Sequence, residues 1–126
     1  MTLVDGDGML RSMSQQRRLA ARIRCVLPLR LYPQGEAKVI QTLTKDLSEG
    51  GLRCLSPVAK PVKTLLSVEI DLGSGKKPLT LRAHTVWFQE IPHSEQFYLG
   101  IAFQDLSSHH RELLSRYIDT ISKNMV

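Results

Sequence analysis

The sequence predicts a mainly β protein, a small six-stranded antiparallel β-barrel with a C-terminal α-helix. Short apolar runs are separated by turns rich in Gly, Pro and Ser, and side chains alternate within the runs. The period lengthens to three or four residues only near the end of the chain. With 126 residues and 42% hydrophobic side chains, the chain suits one domain with one core. Closure into a barrel would remove the exposed edges of so small a sheet.

Six strands are predicted, and each ends at a turn. In chain order they cover residues 25–32, 38–47, 52–55, 62–72, 79–89 and 96–104. Alternation is clearest in the fourth strand, where Leu66, Val68, Ile70 and Leu72 share one face. Glycines at 73 and 75 predict a hairpin turn after it. By the same alternation, the aromatic side chains Trp87, Phe97 and Phe103 are expected in the core.

Residues 107–123 are predicted to form the closing helix, because apolar side chains recur there at helical spacing. Ser107 or Ser108 can cap its first turn. Residues 1–16 show no stable period and are expected to form a flexible arm before a domain over 17–124. Within that domain, residues 17–23 form a loop and residues 24–104 the barrel.

The charge of the chain favours anionic partners. Its formal net charge is +5 and its isoelectric point is about 9.5. Six arginines precede Leu31, against two acidic residues, Asp5 and Asp7. No stretch is a signal peptide or long enough to span a membrane, and Cys25 and Cys54 have the character of buried reduced thiols. A cytoplasmic location is therefore expected.

Patterns typical of enzymes are missing from the sequence. The four histidines are scattered without metal-ligand spacing, and there is no phosphate-binding loop, nucleophile elbow or dinucleotide fingerprint. The segment 73–76 joins two strands and opens no helix, so it is a turn. We therefore expect no catalysis, no metal and no cofactor.

Two motifs carry ligand chemistry. Arg18 and Arg22, preceded by Arg17, offer planar donor groups for phosphate oxygens or the guanine edge, and can stack on a purine. The segment Asp46–Gly51 supplies a carboxylate that can accept hydrogen bonds from guanine N1 and N2. Its Ser48 hydroxyl adds a further contact, and Gly50 and Gly51 permit positive φ and close backbone approach. Taken alone, the arginine motif is also typical of a solvated face, and the Asp46–Gly51 motif is also typical of a plain turn.

Together the motifs resemble the PilZ family of cyclic di-GMP receptors. That family has an Arg-x-x-x-Arg segment before a β-barrel and an Asp/Asn-x-Ser-x-x-Gly motif some two dozen residues later. Arg18, Arg22, Asp46, Ser48 and Gly51 match it position by position. The similarity extends from residue 17 to 121 and includes the runs 50–53, 86–87 and 99–103.

The resemblance implies a receptor or adaptor that binds cyclic di-GMP and signals to a partner protein when its arginine loop becomes ordered. It implies ligand contacts from the arginine segment and from the second motif, namely Arg17, Arg18, Arg22, Asp46, Ser48, Gly50 and Gly51. In the family an arginine at the position of Arg17 accompanies two stacked ligands, so two molecules per chain are expected. Two alternatives stay open: a PilZ-like interaction module that binds no ligand, and a small barrel that binds single-stranded nucleic acid.

Overall fold

A computed structural model describes residues 22–73, 75 and 77–124 of the chain. Its seven strands and one helix are β1 Ile23–Arg24, β2 Pro28–Pro33, β3 Ile40–Leu47, β4 Gly51–Ser56, β5 Leu65–Ile70, β6 Leu79–Glu90, β7 Phe97–Gln104 and α1 Ser108–Asn124. All strand pairs are antiparallel, in the order β3-β2-β5-β6-β7-β4, and β4 pairs back onto β3. The predicted six-stranded barrel is therefore confirmed.

The short strand β1 was not predicted. Ile23, assigned from the sequence to the loop 17–23, pairs with Leu47 of β3 and is buried at 7% exposure. It joins the core because β3 continues past the start of β2 and leaves an edge that β1 can extend. Residues 1–21, which include the expected arm and most of the arginine loop, lie outside the described residues.

The barrel interior is filled by alternating side chains. On β5, Leu66, Val68 and Ile70 point inward as predicted, and Leu72 beyond the strand is half-buried. Cys54 of β4 is fully buried, which raises the pKa of its thiol to about 12. Cys25 is only half-buried, so the expectation of two buried thiols holds for Cys54 alone.

Two β-bulges interrupt this alternation, one in β3 and one in β6. In β3 the register shifts between Thr44 and Asp46, and in β6 it shifts between Thr85 and Trp87. Without the extra residue, positions two apart would share a face. With it, Thr44 and Thr85 are fully buried, while Asp46 and Trp87 lie on the outer face.

Trp87 was therefore wrongly predicted as a core residue, since its relative exposure is 39%. Phe97 and Phe103, predicted from the same alternation, are half-buried. The reason for the error is the bulge at Val86, which shifts the register of β6, and the side chains of residues 86–90 are all exposed.

Helix α1 begins with the predicted cap. The Ser107 hydroxyl accepts a hydrogen bond of 3.0 Å from the His110 backbone N–H. Leu114 and Ile118 then pack into the core, and the helix contacts β1. Within the described part of the chain, no helix is long and apolar enough to cross a membrane.

Candidate ligand-binding site on the outer face of the barrel

One row of residues crosses five strands on the outer face. Register pairing joins Arg24 to Asp46, Asp46 to Arg53, Arg53 to Gly100, and Gly100 to Trp87. Side chains directly opposite one another on neighbouring strands are within contact distance. The two bulges are what place Asp46 and Trp87 in this row, so the sheet itself assembles the site.

Within this row, Asp46 is held by two arginines. Arg22 Nη1 donates a hydrogen bond of 2.5 Å to Asp46 Oδ1. On the other side Arg53 Nε lies 3.0 Å from Oδ2, close enough for an ion pair, but its N–H is not aligned for a hydrogen bond. The Asp46 side chain is only 7% exposed, whereas that of Arg22 is 51% exposed. The carboxylate is thus shielded from water by two guanidinium groups whose side chains are partly exposed.

Arg53 has a second contact that orients it. Its guanidinium carbon lies 5.3 Å from the centre of the Tyr98 ring, within the range of a cation–π interaction. Arg53 is therefore held between an aromatic ring and a carboxylate.

Trp87 lies over Gly100, and the glycine is required for this arrangement. A Cβ atom at position 100 would overlap the indole ring of Trp87. Glycine in the middle of a strand often marks a place where another group approaches the backbone closely.

These residues line an open cleft of about 450 Å³. Its lining consists of Arg22, Asp46, Leu52, Arg53, Val86, Trp87, Gly100 and Ile101. The cleft offers cationic donors, a carboxylate acceptor and an exposed indole ring. This combination can bind a nucleobase edge, stack on its face and neutralise a phosphate.

The remaining residues of the second motif form the turn between β3 and β4 and do not line the cleft. The Ser48 N–H donates to the Gly51 carbonyl at 2.8 Å, and the Gly50 N–H donates to the Ser48 hydroxyl at 3.3 Å. A Cβ atom on Gly51 would overlap the Ile101 carbonyl oxygen. The close backbone approach expected at Gly51 is therefore present within the chain. Neither Gly50 nor Gly51 has a positive φ, so that expectation was wrong.

Of the predicted site residues, the structure brings Arg22 and Asp46 into contact, and places Ser48, Gly50 and Gly51 in the adjoining turn. Arg17 and Arg18 lie outside the described residues. Arg53 and Trp87 were not among the predicted site residues. A glycine inside the predicted last strand was the available signal for Trp87, because it indicates close approach of another group.

The described residues form a closed antiparallel barrel that carries an arginine–carboxylate cluster and an exposed indole on its outer face. The model of the PilZ domain family matches residues 16–120, and the chain belongs to this family. The resemblance noted in the sequence is thus confirmed.

Solved structures of PilZ proteins share the fold. The PilZ domain of YcgR from Escherichia coli, solved with c-di-GMP, is 20% identical with a TM-score of 0.69, over 87% of this chain and 95% of that one. The motility inhibitor MotI/DgrA of Bacillus subtilis is 19% identical with a TM-score of 0.72, over 86% of this chain and 52% of that one. The PilZ domain of CeSA from a cellulose-synthesizing bacterium is 16% identical with a TM-score of 0.61, over 82% and 99% of the two chains.

This chain thus spans about half the length of MotI/DgrA. At these identities the likeness concerns the fold. A search of curated protein sequences gives no match.

Proposed function

We propose that this protein is a non-catalytic receptor for cyclic di-GMP, which it binds in the cleft between Arg22, Asp46 and Trp87. The observation that carries the proposal is the position of Asp46. Its carboxylate lies at the base of a cleft that arginines and an indole ring also line. Family membership and the E. coli YcgR structure with c-di-GMP support the choice of ligand.

Each group in the cleft has a matching group on the ligand. The Asp46 carboxylate would accept hydrogen bonds from guanine N1 and N2, and the arginines would donate to phosphate oxygens or to guanine O6 and N7. The Trp87 ring, 39% exposed over Gly100, would stack on a guanine face. Stacking of a base on an aromatic side chain contributes about 1–3 kcal/mol.

Arg22 has to change its partner for this to happen. In the structure it donates a hydrogen bond to the same carboxylate that would accept hydrogen bonds from guanine. The Arg22 side chain is half-exposed, so water screens its ion pair with Asp46. Breaking this ion pair therefore costs Arg22 little free energy. We propose that the ligand takes up Arg22 together with Arg18 and Arg17 and so orders the segment before β1. An arginine at position 17 leads us to propose two ligand molecules per chain.

An ordered arginine segment would form a new surface beside the cleft. We propose that an effector protein binds to this surface and that the receptor acts in the cytoplasm. Order–disorder transitions of a segment are a common way to turn ligand binding into a signal.

Isothermal titration calorimetry with cyclic di-GMP tests the proposal. We expect micromolar or tighter binding that falls about ten- to a hundredfold in Arg22→Ala, since a charge-assisted hydrogen bond contributes about 1.5–3 kcal/mol. The matched control is Arg111→Ala, which removes an exposed arginine of α1 outside the cleft and should bind like the parent. The stoichiometry decides between one ligand and two.

The alternatives predict different titrations. No heat at high protein concentration would contradict the receptor proposal and favour the interaction module that binds no ligand. Tighter binding of a single-stranded oligonucleotide than of cyclic di-GMP would favour the nucleic-acid alternative.

A further inference from the structure

A second concave surface lies between α1 and the start of β6. This groove has a volume of about 870 Å³. It is lined by Leu72, Lys77, Pro78, Leu79, Thr80, His109, His110, Leu113, Arg116, Tyr117, Thr120 and Ile121. None of these residues belongs to the cleft described above.

The floor of the groove is apolar. Leu113, Tyr117 and Ile121 follow at four-residue intervals, so they share one side of α1. All three pack against the core, yet each stays only half-buried, unlike Leu114 and Ile118. The helix therefore has a second apolar stripe that the barrel covers incompletely.

The rim of the groove is basic. Lys77 and Arg116 contribute two cations, His109 and His110 lie beside them, and no carboxylate is among the lining residues. Glu112 forms an ion pair of 2.8 Å with Arg116 and offsets part of that charge, which leaves Lys77 as the main cation. An occupant that fits this groove would carry carboxylates between apolar side chains.

The chain contains one segment of this kind outside the described residues. We propose that residues 1–10 dock in the groove, with Leu3 and Val4 on the apolar floor and Asp5 and Asp7 at the basic rim. These two aspartates are the only acidic residues before Glu36, and apolar side chains flank them on both sides. Charge and apolar pattern are thus complementary between the segment and the groove.

The segment is long enough to reach the groove. The described chain begins next to α1, because β1 contacts that helix. Residues 11–21 can span up to about 40 Å when extended. The 17 residues of α1 extend over only about 25 Å. This contact does not depend on the proposed ligand, and it is tested without cyclic di-GMP.

Hydrogen exchange of the full chain tests the contact. In Asp5→Lys/Asp7→Lys we expect the backbone amides of residues 113–121 and of 77, 79 and 80 to exchange at least about fivefold faster, because the segment no longer covers them. Leu3→Ser/Val4→Ser should have the same effect through loss of apolar contact. Ser12→Lys/Ser14→Lys, which adds positive charge outside the segment, should leave the exchange unchanged.

A charge exchange makes the test specific. Combining Lys77→Glu with Asp5→Lys/Asp7→Lys should restore most of the protection from exchange. The charges of the groove and of the segment are then both reversed, so they again attract each other. Unchanged exchange in both segment variants would overturn the proposal. So would protection that disappears on dilution of the parent protein, because the groove would then be covered by a second copy of the chain.

Discussion

The two ends of the Asp46–Gly51 motif differ in what holds them. Asp46 contacts the guanidinium groups of Arg22 and Arg53, and the Arg22 side chain is half-exposed to solvent. Ser48 and Gly51 contact backbone, through hydrogen bonds within the turn and close approach to β7. Contacts of the first kind can be exchanged for contacts to a ligand, and contacts of the second kind cannot.

This difference indicates that the motif combines two roles. Under the proposed function its first residue would contact the ligand, and its last residues form the turn that places β4 beside β7. Substitutions at the two ends should therefore have different effects. A substitution at Gly51 should lower stability, and one at Asp46 should weaken ligand binding.

The largest effect on stability is expected at Gly51. In Gly51→Ala the new methyl group overlaps the Ile101 carbonyl oxygen, and neither strand can yield without disturbing the β4–β7 pairing. We expect the free energy of unfolding to fall by about 1–3 kcal/mol, as is typical of overpacking. Urea denaturation measures it.

Gly50→Ala is the matched control for Gly51→Ala. Position 50 has open space around it and an ordinary φ, so the same methyl group should change stability by less than about 0.5 kcal/mol. Equal losses at both positions would contradict the distinction between the two glycines.

The largest effect on binding is expected at Asp46. Asp46→Asn keeps the shape of the side chain but removes the charged acceptor, so affinity for cyclic di-GMP should fall about ten- to a hundredfold. The free energy of unfolding should change by less than about 1 kcal/mol, since the Arg22 and Arg53 side chains it releases are still partly exposed. Calorimetry and urea denaturation measure the two quantities on one sample.

Asp119→Asn is the control for Asp46→Asn. It removes an exposed carboxylate of α1 and should leave both quantities unchanged. A stability loss at Asp46 with unaltered binding would reverse the roles assigned to the two ends of the motif.

A smaller effect on binding is expected from Gly100→Ala, because it displaces the Trp87 ring without removing it. We expect affinity to fall about five- to tenfold, near the lower end of the stacking range. Trp87 is the only tryptophan of the chain, so a red shift of its emission reports the displacement directly.

Phe88→Leu provides the control for the Gly100→Ala experiment. Phe88 is 46% exposed and adjacent to Trp87, but it does not line the cleft, so binding should be unaffected. A red shift in Gly100→Ala without loss of affinity would remove Trp87 from the proposed site.

Trp87 also shows how far the sequence could predict the site. Alternation located the strands and the inward face of β5 correctly, because β5 pairs with both of its neighbours without interruption. It failed in β6, where one extra residue at Val86 shifts the register and the side chains of residues 86–90 are all exposed. A bulge depends on pairing with the neighbouring strand, and a single sequence contains no direct sign of that pairing.

The arginine and carboxylate of the site were found from the sequence for a different reason. Arg22 and Asp46 are 24 positions apart, and no local pattern connects them. Resemblance to a family motif paired them correctly. Arg53 falls outside that motif, and its place in the site follows only from its register opposite Asp46.

The smallest effect is expected at Ser48, and it decides whether this residue belongs to the recognition end or the turn. In Ser48→Ala the turn loses the hydrogen bond from the Gly50 N–H and the one donated to the Gly51 carbonyl. The free energy of unfolding should fall by about 0.5–1.5 kcal/mol, the usual net contribution of such bonds. If Ser48 acts only in the turn, affinity for cyclic di-GMP should not change.

Ser56→Ala is the matched control for Ser48→Ala. Ser56 holds a similar local arrangement at the end of β4, where it bonds both the N–H and the carbonyl of Val58. It is outside the cleft, so its loss should lower stability by a similar amount and leave binding intact. If Ser48→Ala weakens binding and Ser56→Ala does not, the Ser48 hydroxyl contacts the ligand, and the recognition end of the motif includes Ser48 as well as Asp46.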